Sequence, residues 1–235
     1  MPSDILLVNE VFGPTFQGEG RHLGRPCVFV RLAGCNLSCA WCDTPYSWDW
    51  SRYDKSIEVH RQTVDAVADR VRELAGDTIR HVVVSGGEPL LQGLGVFELV
   101  KNLRRDDWTS ELETAGTVMP PNKTLVDHFT VSPKLVNSHQ AKHTSSRRLN
   151  ADVLPYLNNT PSHCFKFVVQ HPDDYDEIDA LVDAHHLSPV YIMPEGVDGS
   201  TLNTTLAAVA DGAVQRNYTL TTRLQILTYG QRRAV

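Results

Sequence analysis

The sequence predicts an α/β fold in which about six mostly parallel strands form a barrel-like sheet with helical crossovers. Two observations support this prediction. Short runs of β-branched and aromatic residues alternate along the chain with stretches of helical periodicity. Polar residues suited to chemistry follow directly after these runs, and in barrel-like α/β proteins the carboxyl ends of the strands form the active face. The pattern therefore favours an enzyme.

The first elements surround a glycine-rich stretch. Residues 8–24 contain four glycines and a proline and are predicted to form a shaped loop. Residues 25–32 follow as a β-branched and aromatic strand. Beyond them, residues 44–57 are expected to be irregular. Apolar residues then recur at helical spacing over 63–74, with Gly76 as the stop signal.

Predicted strands recur through the second half of the chain, and several of them are followed directly by a predicted helix. Residues 81–84 include three consecutive valines, which is typical of a strand buried on both faces of a parallel sheet. The glycines after this strand lead into a predicted helix over 90–103. Further strands are predicted at 111–117, 129–134, 164–170 and 189–196. Helices are predicted at 173–185 and 201–214, a mobile loop at 137–148 and a possible last strand at 220–227.

Composition limits the functional class. The 235 residues are 41% hydrophobic and 21% charged, which fits a single globular domain over residues 1–235. The net charge of -6 argues against a nucleic-acid partner. No charged and apolar leader follows Met1, and no apolar run approaches about 18 residues. We therefore expect no membrane contact and a cytoplasmic location.

Three of the five cysteines, Cys35, Cys39 and Cys42, have the spacing C-x3-C-x2-C. Three thiolates can hold three irons of a cubane cluster and leave the fourth iron open, whereas electron-transfer ferredoxins use four cysteines. A zinc knuckle, the main alternative, requires a fourth ligand, and the nearest histidines, His22 and His60, lack the usual paired spacing. The spacing favours an iron–sulfur cluster with an open coordination site. A chance cluster of buried cysteines is the other alternative.

The remaining titratable residues give weaker signals. Cys27 and Cys164 alternate with apolar residues and are predicted to be small core residues, so no disulfide framework is expected. None of the ten histidines has a persuasive partner in the sequence. Taken alone, Arg31 is compatible with a surface residue at a strand end, and Glu113 with a solvated carboxylate.

The cysteine motif, with Trp41 before its last cysteine, resembles the signature of the radical S-adenosylmethionine (SAM) superfamily. Gly86-Gly87-Glu88-Pro89 resembles the superfamily's glycine-rich element, whose backbone holds the amino group of SAM. In that superfamily the open iron chelates SAM, and the reduced cluster cleaves it to a 5′-deoxyadenosyl radical. The resemblance implies a partial (incomplete) TIM-like barrel with its active site at the carboxyl ends of the strands.

Further segments resemble the 7-carboxy-7-deazaguanine synthase family, and the match extends from Glu10 to about Arg233. They are residues 10–20, 31–37, 42–44, 113–117 and 132–134. The resemblance implies conversion of 6-carboxy-5,6,7,8-tetrahydropterin to 7-carboxy-7-deazaguanine with loss of ammonia, in queuosine-type 7-deazapurine biosynthesis. It implies a 4Fe–4S cluster, SAM and Mg²⁺ as cofactors, a low-potential reductant such as flavodoxin, and a homodimer.

The same resemblance implies roles for matching residues. The cluster ligands are Cys35, Cys39 and Cys42. The implied SAM-binding residues are Trp41, Cys42, Asp43, Gly87, Ser132, Pro133, Lys134, Met193, Pro194, Glu195 and Gly196. The implied pterin-binding residues are Phe16, Gln17, Gly18, Glu19, Arg31, Ser85 and Glu113. The implied magnesium ligand is Thr44.

The chemistry of these side chains suits the implied roles. A carboxylate such as Glu19 or Glu113 can accept from the amine and ring N–H of a pterin edge. Arg31 offers a planar fork for the substrate carboxylate. Mg²⁺ prefers oxygen and keeps much of its water, so one hydroxyl from Thr44 is compatible with a site completed by ligand and water.

Two departures and two alternatives accompany this interpretation. Gln225 and Tyr229 stand where the family often has His and Trp, so no tail residue is predicted to bind a ligand. A glycyl-radical-enzyme activase shares the cysteine spacing but acts on a protein and would lack the set of Gln17, Glu19, Arg31 and Glu113. A non-enzymatic zinc or iron–sulfur binding module would not turn over SAM.

Overall fold

A computed structural model describes residues 4–141 and 145–235 of the chain. Nine strands in these ranges form one mixed sheet. The strands are β1 (Ile5–Phe16), β2 (Pro26–Leu32), β3 (His60–Thr63), β4 (His81–Gly86), β5 (Thr109–Thr114), β6 (His128–Val131), β7 (His163–Val169), β8 (Val190–Pro194) and β9 (Thr219–Leu220). Their spatial order is β3-β1-β2-β4-β5-β6-β7-β8-β9.

The sheet is parallel from β2 to β9, and only β1 pairs in the antiparallel sense, with β2 on one side and β3 on the other. The predicted α/β class with a mostly parallel sheet is confirmed. Val82, Val83 and Val84 are fully buried, as expected for a strand covered on both faces. The predicted number of about six strands is too low, because β1, β3 and β9 carry weak or mixed sequence signals.

Seven helices accompany the sheet in the described ranges. They are α1 (Lys55–Glu58), α2 (Val64–Ala75), α3 (Gly93–Arg104), α4 (Val153–Asn158), α5 (Asp174–His185), α6 (Gly199–Gln215) and α7 (Leu224–Tyr229). The four longer helices that periodicity predicted are confirmed with small shifts at their ends. Thr63 caps the start of α2, and Gly76 ends it with a positive φ of 57°. No helix within these ranges has the length and apolar character to cross a membrane.

The prediction of a loop over residues 8–24 is wrong for its first half. Residues of β1 alternate between buried and half-buried positions, which matches a strand with one face on the core. Gly13 and Pro14 do not end the strand, because its register against β2 shifts between Phe12 and Thr15. Such a bulge accommodates a proline, which cannot donate to the ladder.

The tail and two connecting segments also differ from expectation. The predicted last strand at 220–227 is wrong, because β9 ends at Leu220 and α7 follows. The Leu224 amide donates to the Gly18 carbonyl at 2.8 Å, so docking against the loop after β1 decides this segment. The irregular stretch 44–57 contains a short 3-10 turn and α1. Of the predicted loop at 137–148, residues 142–144 lie outside the described residues.

The two glycines after β4 allow the cysteine-bearing loop to lie directly against the sheet. Gly86 has a φ of 140°, and a Cβ on it would collide with the backbone of Leu32. A Cβ on Gly87 would collide with the carbonyl of Gly34. In their place, the Gly87 amide donates to the Leu32 carbonyl at 3.1 Å, and the Glu88 amide donates to the Gly34 carbonyl at 2.8 Å.

We predict that Gly86→Ala lowers the free energy of unfolding by about 2–5 kcal/mol, because it adds both overpacking and an unfavourable φ. Urea denaturation of the cluster-free protein measures the loss. Gly199→Ala is the matched control, because a Cβ on Gly199 meets only Leu227 at an ordinary 3.9 Å. Equal stabilities of the two variants would contradict the close-approach argument.

Candidate functional site

A cavity of about 540 Å³ lies at the carboxyl ends of the parallel strands. It brings together most of the residues that the sequence resemblance implied. These are Phe16, Gln17, Gly18, Glu19, Arg31, Cys35, Cys39, Trp41, Cys42, Asp43, Thr44, Ser85, Gly87, Glu113, Ser132, Lys134, Met193 and Glu195. Pro133, Pro194 and Gly196 are not part of the lining.

The three cysteines of the motif are free and half-buried, and each sulfur receives one N–H donor. The Leu37 amide donates to Cys35 Sγ at 3.4 Å, and Trp48 Nε1 donates to Cys42 Sγ at 3.3 Å. Gln140 Nε2 donates to Cys39 Sγ at 2.9 Å. Such donors stabilise negative charge on sulfur.

The surroundings of the three cysteine sulfurs suit thiolates bound to a cluster better than free, protonated thiols. Burial raises the pKa of Cys35 to about 12 and also raises the pKa of Cys42. Without a cation these sulfurs would stay protonated at neutral pH, whereas coordinated thiols are deprotonated outright. Three soft ligands with no fourth cysteine fit three irons of a cubane cluster. Cys27 and Cys164 are fully buried, so the prediction that they lie in the interior is confirmed. Cys164 has polar neighbours, since its Sγ lies 3.6 Å from His128 Nε2 and 3.8 Å from Thr130 Oγ1.

The segment after β6 lies beside the cysteine loop. Lys134 Nζ donates to the Ser132 carbonyl at 2.5 Å and to Ser132 Oγ at 2.8 Å. The ammonium lies 5.9 Å from the centre of the Trp41 ring. Burial lowers the pKa of Lys134. Trp41 Nε1 donates to the Asn137 carbonyl at 3.1 Å, which fixes the indole at the cavity wall.

Glu88 ties the glycine-rich element to the next strand. Its carboxylate accepts from the Leu90 amide at 3.1 Å, from Thr114 Oγ1 at 2.8 Å and from the Ala115 amide at 2.8 Å. This buried side chain therefore caps the turn after β4 and holds the end of β5. Glu88 does not line the cavity, so the glutamate of the Gly-Gly-Glu-Pro element has a structural position.

Glu113 faces the cavity from the end of β5. Ser85 Oγ donates to its Oε2 at 2.7 Å, and Gln17 Nε2 donates to its Oε1 at 3.1 Å. Burial raises the pKa of Glu113, the ammonium of Lys166 opposes this, and the carboxylates of Glu19 and Glu111 add to it. The side chain is 20% exposed, so its oxygens retain room to accept from a ligand.

Glu19 lies at the centre of a charged network that closes one side of the cavity. Its Oε2 accepts a hydrogen bond from the ammonium of Lys166. Its Oε1 accepts from Arg223 Nε at 3.3 Å and from Gln225 Nε2 at 2.7 Å. Burial opposes ionisation, but the charges of Lys166 and Arg223 outweigh it and lower the pKa of Glu19 to about 2. Glu19 is therefore ionised throughout the physiological range.

Sequence reasoning missed three of these partners. Lys166 interrupts the apolar run of β7, between Phe165 and Phe167, and is 4% exposed. A lysine inside a strand predicted to be buried was the available signal, because a buried cation requires a counter-charge. Arg223 gave no such signal, and Gln225 was noted only as a departure from the resemblance, because only the return of the tail places them beside Glu19. Arg223 also donates to the Gly196 carbonyl at 2.8 Å and pairs with Asp43.

The tail covers the loop that follows β1. Tyr229 stacks on Phe16 with ring centres 5.4 Å apart. The Gln225 side chain packs directly on Gly18, where a Cβ would lie 1.9 Å from Gln225 Oε1. Gln225 and Tyr229 therefore both contact the predicted pterin segment, although no tail residue was predicted to bind a ligand.

Arg31 is anchored rather than exposed. Its Nε donates to Glu10 Oε1 at 2.7 Å, and the guanidinium lies 5.5 Å from the centre of the Phe12 ring. Burial disfavours its charge, yet Tyr46 and the carboxylate of Glu10 raise the pKa of Arg31 above its ordinary value. The two Nη atoms make no hydrogen bond within the described ranges. One edge of the guanidinium thus remains available at the cavity.

Thr44 is a buried hydroxyl at the cavity wall. It is 8% exposed, and its Oγ1 lies 3.7 Å from Cys42 Sγ. Its carbonyl accepts from Ser47 N at 2.9 Å and from Ser47 Oγ at 2.8 Å, so the turn after the cysteines fixes its backbone. The hydroxyl points neither to a cap nor to a core network.

Comparison with known proteins agrees with this geometry. The family model of the radical SAM superfamily matches residues 30–151. A 7-carboxy-7-deazaguanine synthase from Pyrobaculum aerophilum is 38% identical over 232 residues, which cover 96% of each chain. That of Rhodopirellula baltica is 35% identical over 240 residues, covering 97% of this chain and 88% of its own.

A solved structure has the same architecture. The crystal structure of QueE from Escherichia coli superposes with a TM-score of 0.67 at 25% identity, covering 94% of each chain. The similarity thus extends over nearly the whole length of the chain. The chain belongs to the 7-carboxy-7-deazaguanine synthase family of the radical SAM superfamily.

Proposed function

We propose that this chain converts 6-carboxy-5,6,7,8-tetrahydropterin to 7-carboxy-7-deazaguanine with loss of ammonia. One observation carries the proposal: a single cavity joins three cysteines with no fourth to a carboxylate and a guanidinium edge of the right kinds for a carboxypterin. Full-length similarity to 7-carboxy-7-deazaguanine synthases supports it.

Cys35, Cys39 and Cys42 would hold a 4Fe–4S cluster, whose open iron takes SAM. When bound, the two groups supply the one-electron chemistry that abstracts hydrogen from pterin C6. The chain's own contribution is the N–H donor at each cysteine sulfur, from Leu37, Gln140 and Trp48. Hydrogen bonds to the sulfurs are one of the protein's means of setting the cluster potential.

The SAM-binding set would surround the open iron. It comprises Trp41, Cys42, Asp43, Gly87, Ser132, Pro133, Lys134, Met193, Pro194, Glu195 and Gly196. Arg223 supports this arrangement, because it holds Asp43 through an ion pair and the Gly196 carbonyl through a hydrogen bond. One guanidinium thereby connects the segment after the cysteines to the segment after β8.

The pterin amine edge would pair with Glu113. Its carboxylate is held in place by Ser85 and Gln17 and still faces the cavity. Glu19 already binds Lys166, Arg223 and Gln225, so less of its accepting capacity remains. Its negative charge stabilises the Lys166 ammonium, and Phe16, Gly18 and Glu19 shape the wall on which the pterin ring would rest.

The substrate carboxylate would bind the free edge of Arg31. Glu10 accepts from Nε and so fixes the guanidinium plane. Arg233 holds Glu10 from the other side at 3.0 Å, and Tyr46 donates to it at 3.3 Å. The Arg31 guanidinium is therefore held in place before the substrate carboxylate binds, which lowers the entropy cost of binding.

Several finer features belong to the same proposal. Thr44 would give Mg²⁺ one oxygen, with substrate and water completing the shell. The consecutive neighbours from β2 to β9 support a partial TIM-like barrel, and one sheet supports a single radical SAM domain over residues 1–235. Family resemblance supports a homodimer, a reductant such as flavodoxin and a cytoplasmic location.

The decisive assay is anaerobic reconstitution with iron and sulfide, followed by SAM, a reductant and the carboxypterin. We expect 7-carboxy-7-deazaguanine and ammonia by mass spectrometry and chemical assay. Cys35→Ala should abolish the brown chromophore and the product, because it removes a cluster ligand, whereas Cys27→Ala should retain both. A glycyl-radical-enzyme activase would cleave SAM without forming the product, and a zinc or iron–sulfur module would turn over neither substrate.

Substrate recognition is tested by Arg31→Lys and Glu113→Gln. Losing one partner of a buried charged pair costs about 2–5 kcal/mol, which is roughly thirty- to several-thousand-fold in kcat/KM. Arg31→Lys should retain little of the wild-type kcat/KM, because an ammonium keeps the charge but lacks the planar fork of the guanidinium. Arg52→Lys is the matched control, because its side chain is 62% exposed and pairs with Asp49. Unaltered kcat/KM in both site variants, with the cluster intact, would remove support for the substrate assignment.

The role of the sulfur hydrogen bonds is tested by Trp48→Phe, which keeps the ring and removes the N–H donor to Cys42. A hydrogen bond of about 0.5–1.5 kcal/mol corresponds to about 20–65 mV for one electron. We expect the potential to become more negative by that amount in a titration followed by electron paramagnetic resonance. Trp50→Phe, whose ring faces Lys55, is the control. The same potential in both variants would contradict this role.

A further inference from the structure

A second cluster of titratable side chains lies inside the sheet at the opposite ends of the strands from the cavity. It consists of His22, His81, Glu111 and His128, and none of them lines the cavity. His81 and His128 are the first residues of β4 and β6, Glu111 lies near the start of β5, and His22 ends the short 3-10 turn before β2. The expectation that no histidine has a persuasive partner is therefore wrong, because residues distant in sequence meet here.

The four side chains are close together. His22 Nδ1 lies 2.7 Å from Glu111 Oε2, and His81 Nε2 lies 3.6 Å from the same oxygen. The His22 ring packs edge-on against both other imidazoles, with ring centres 5.2 Å from His81 and 4.8 Å from His128. One ligand atom from each of His22, Glu111 and His128 lies within 4.8 Å of the others.

One hydrogen-bond arrangement around His81 leaves its Nε2 free to bind a cation. In it, Thr109 Oγ1 donates to the Arg80 carbonyl at 3.1 Å. The same oxygen accepts from Arg25 Nη2 at 2.8 Å and from His81 Nδ1 at 3.0 Å. With the proton on Nδ1, neutral His81 presents a lone pair at Nε2. That atom is buried, has no hydrogen-bond partner and faces the Glu111 carboxylate.

Two electron-rich atoms that face each other in a buried site require a cation or a proton between them. The side chains of Glu111 and His81 are 0% and 2% exposed, so the pair is shielded from bulk water. A neutral imidazole binds metal through a ring-nitrogen lone pair, and the unpartnered His81 Nε2 would present one to a cation beside Glu111 Oε2.

We propose that His22, His81, His128 and Glu111 bind one divalent transition-metal ion of the zinc class, separate from the iron–sulfur and magnesium positions. Three imidazoles and a carboxylate suit zinc, with bonds of about 2.0–2.2 Å that would draw the four side chains inward. The Nδ1 atoms of His81 and His128 contact the hydroxyls of Thr109 and Ser162, the outer contacts expected of metal-binding histidines. His22 is 22% exposed and provides the route of entry.

The metal position is connected to the cavity through one amide. Gln17 Nε2 donates to Glu111 Oε1 at 3.0 Å and to Glu113 Oε1 at 3.1 Å. Thr130 also donates to Glu111 Oε1, at 2.6 Å. An ion on Glu111 would thus fix the carboxylate that orients Gln17. The binding proposal itself does not depend on the substrate assigned to the cavity.

The test titrates Zn²⁺ into the full-length, cluster-loaded protein, with a chromophoric chelator as competitor. The cluster occupies the three cysteines, so they do not compete for zinc. We expect one tight zinc per chain in addition to iron. His81→Gln and His128→Gln should each weaken binding by more than about 100-fold, beyond the 10–100-fold typical of losing an outer partner, and Thr109→Val should fall within that smaller range.

His163→Gln is the matched control. His163 also begins a strand, β7, but its Nε2 contacts the Ser188 carbonyl at 2.7 Å and lies outside the cluster. Zinc binding should be unchanged in this variant. Equal losses in His163→Gln and His81→Gln, or retention of tight zinc in both His81→Gln and His128→Gln, would overturn the site.

X-ray absorption at the zinc edge of the wild-type protein provides a test that does not depend on variants folding. We expect nitrogen and oxygen neighbours at about 2.0–2.2 Å and no sulfur shell at about 2.3 Å. A sulfur shell, or no tight zinc at all, would overturn the proposal.

Discussion

The carboxylates of Glu19, Glu111 and Glu113 form one connected network between the strands, and the need to compensate their charge determines which side chains surround them. Gln17 joins Glu111 to Glu113 through one amide nitrogen. At one end Lys166 and Arg223 neutralise Glu19, and at the other His22 contacts Glu111. An unpaired charge at such depth would cost several kcal/mol, so each carboxylate requires a specific partner from a distant strand. The candidate active site and the histidine cluster are in this sense two ends of one network.

The cysteine loop is positioned by close backbone contacts and by side chains from other segments. Gly86 and Gly87 allow the loop to approach within hydrogen-bonding distance of the turn after β4, and Glu88 holds that turn to the end of β5. Asn36 donates to Thr117 at 3.0 Å, and the Ser38 amide donates to Gln140 at 2.6 Å. The N–H donors from Leu37, Gln140 and Trp48 act on sulfurs held in this way.

The tail closes the cavity over the loop that follows β1. Gln225 supplies an N–H donor to Glu19, and Tyr229 provides an aromatic face to Phe16. Arg233 extends the same closure by pairing with Glu10, the residue that anchors Arg31. The tail thus reaches both ends of the proposed pterin position.

The sequence by itself determined the cysteine spacing, the buried valine strand, the longer helices and the glycine pair, because each depends on neighbours within a few residues. It also placed Ser85 and Glu113 at strand ends, which parallel pairing brings to one edge. Only the tertiary structure decided that β1 continues past Gly13, since its partners β2 and β3 lie far along the chain. The same holds for Lys166, Arg223 and the histidine cluster. Each of these side chains acquires its role from a charged group or lone pair on a segment distant in sequence. Residues close to it in the sequence do not indicate which partner it will have.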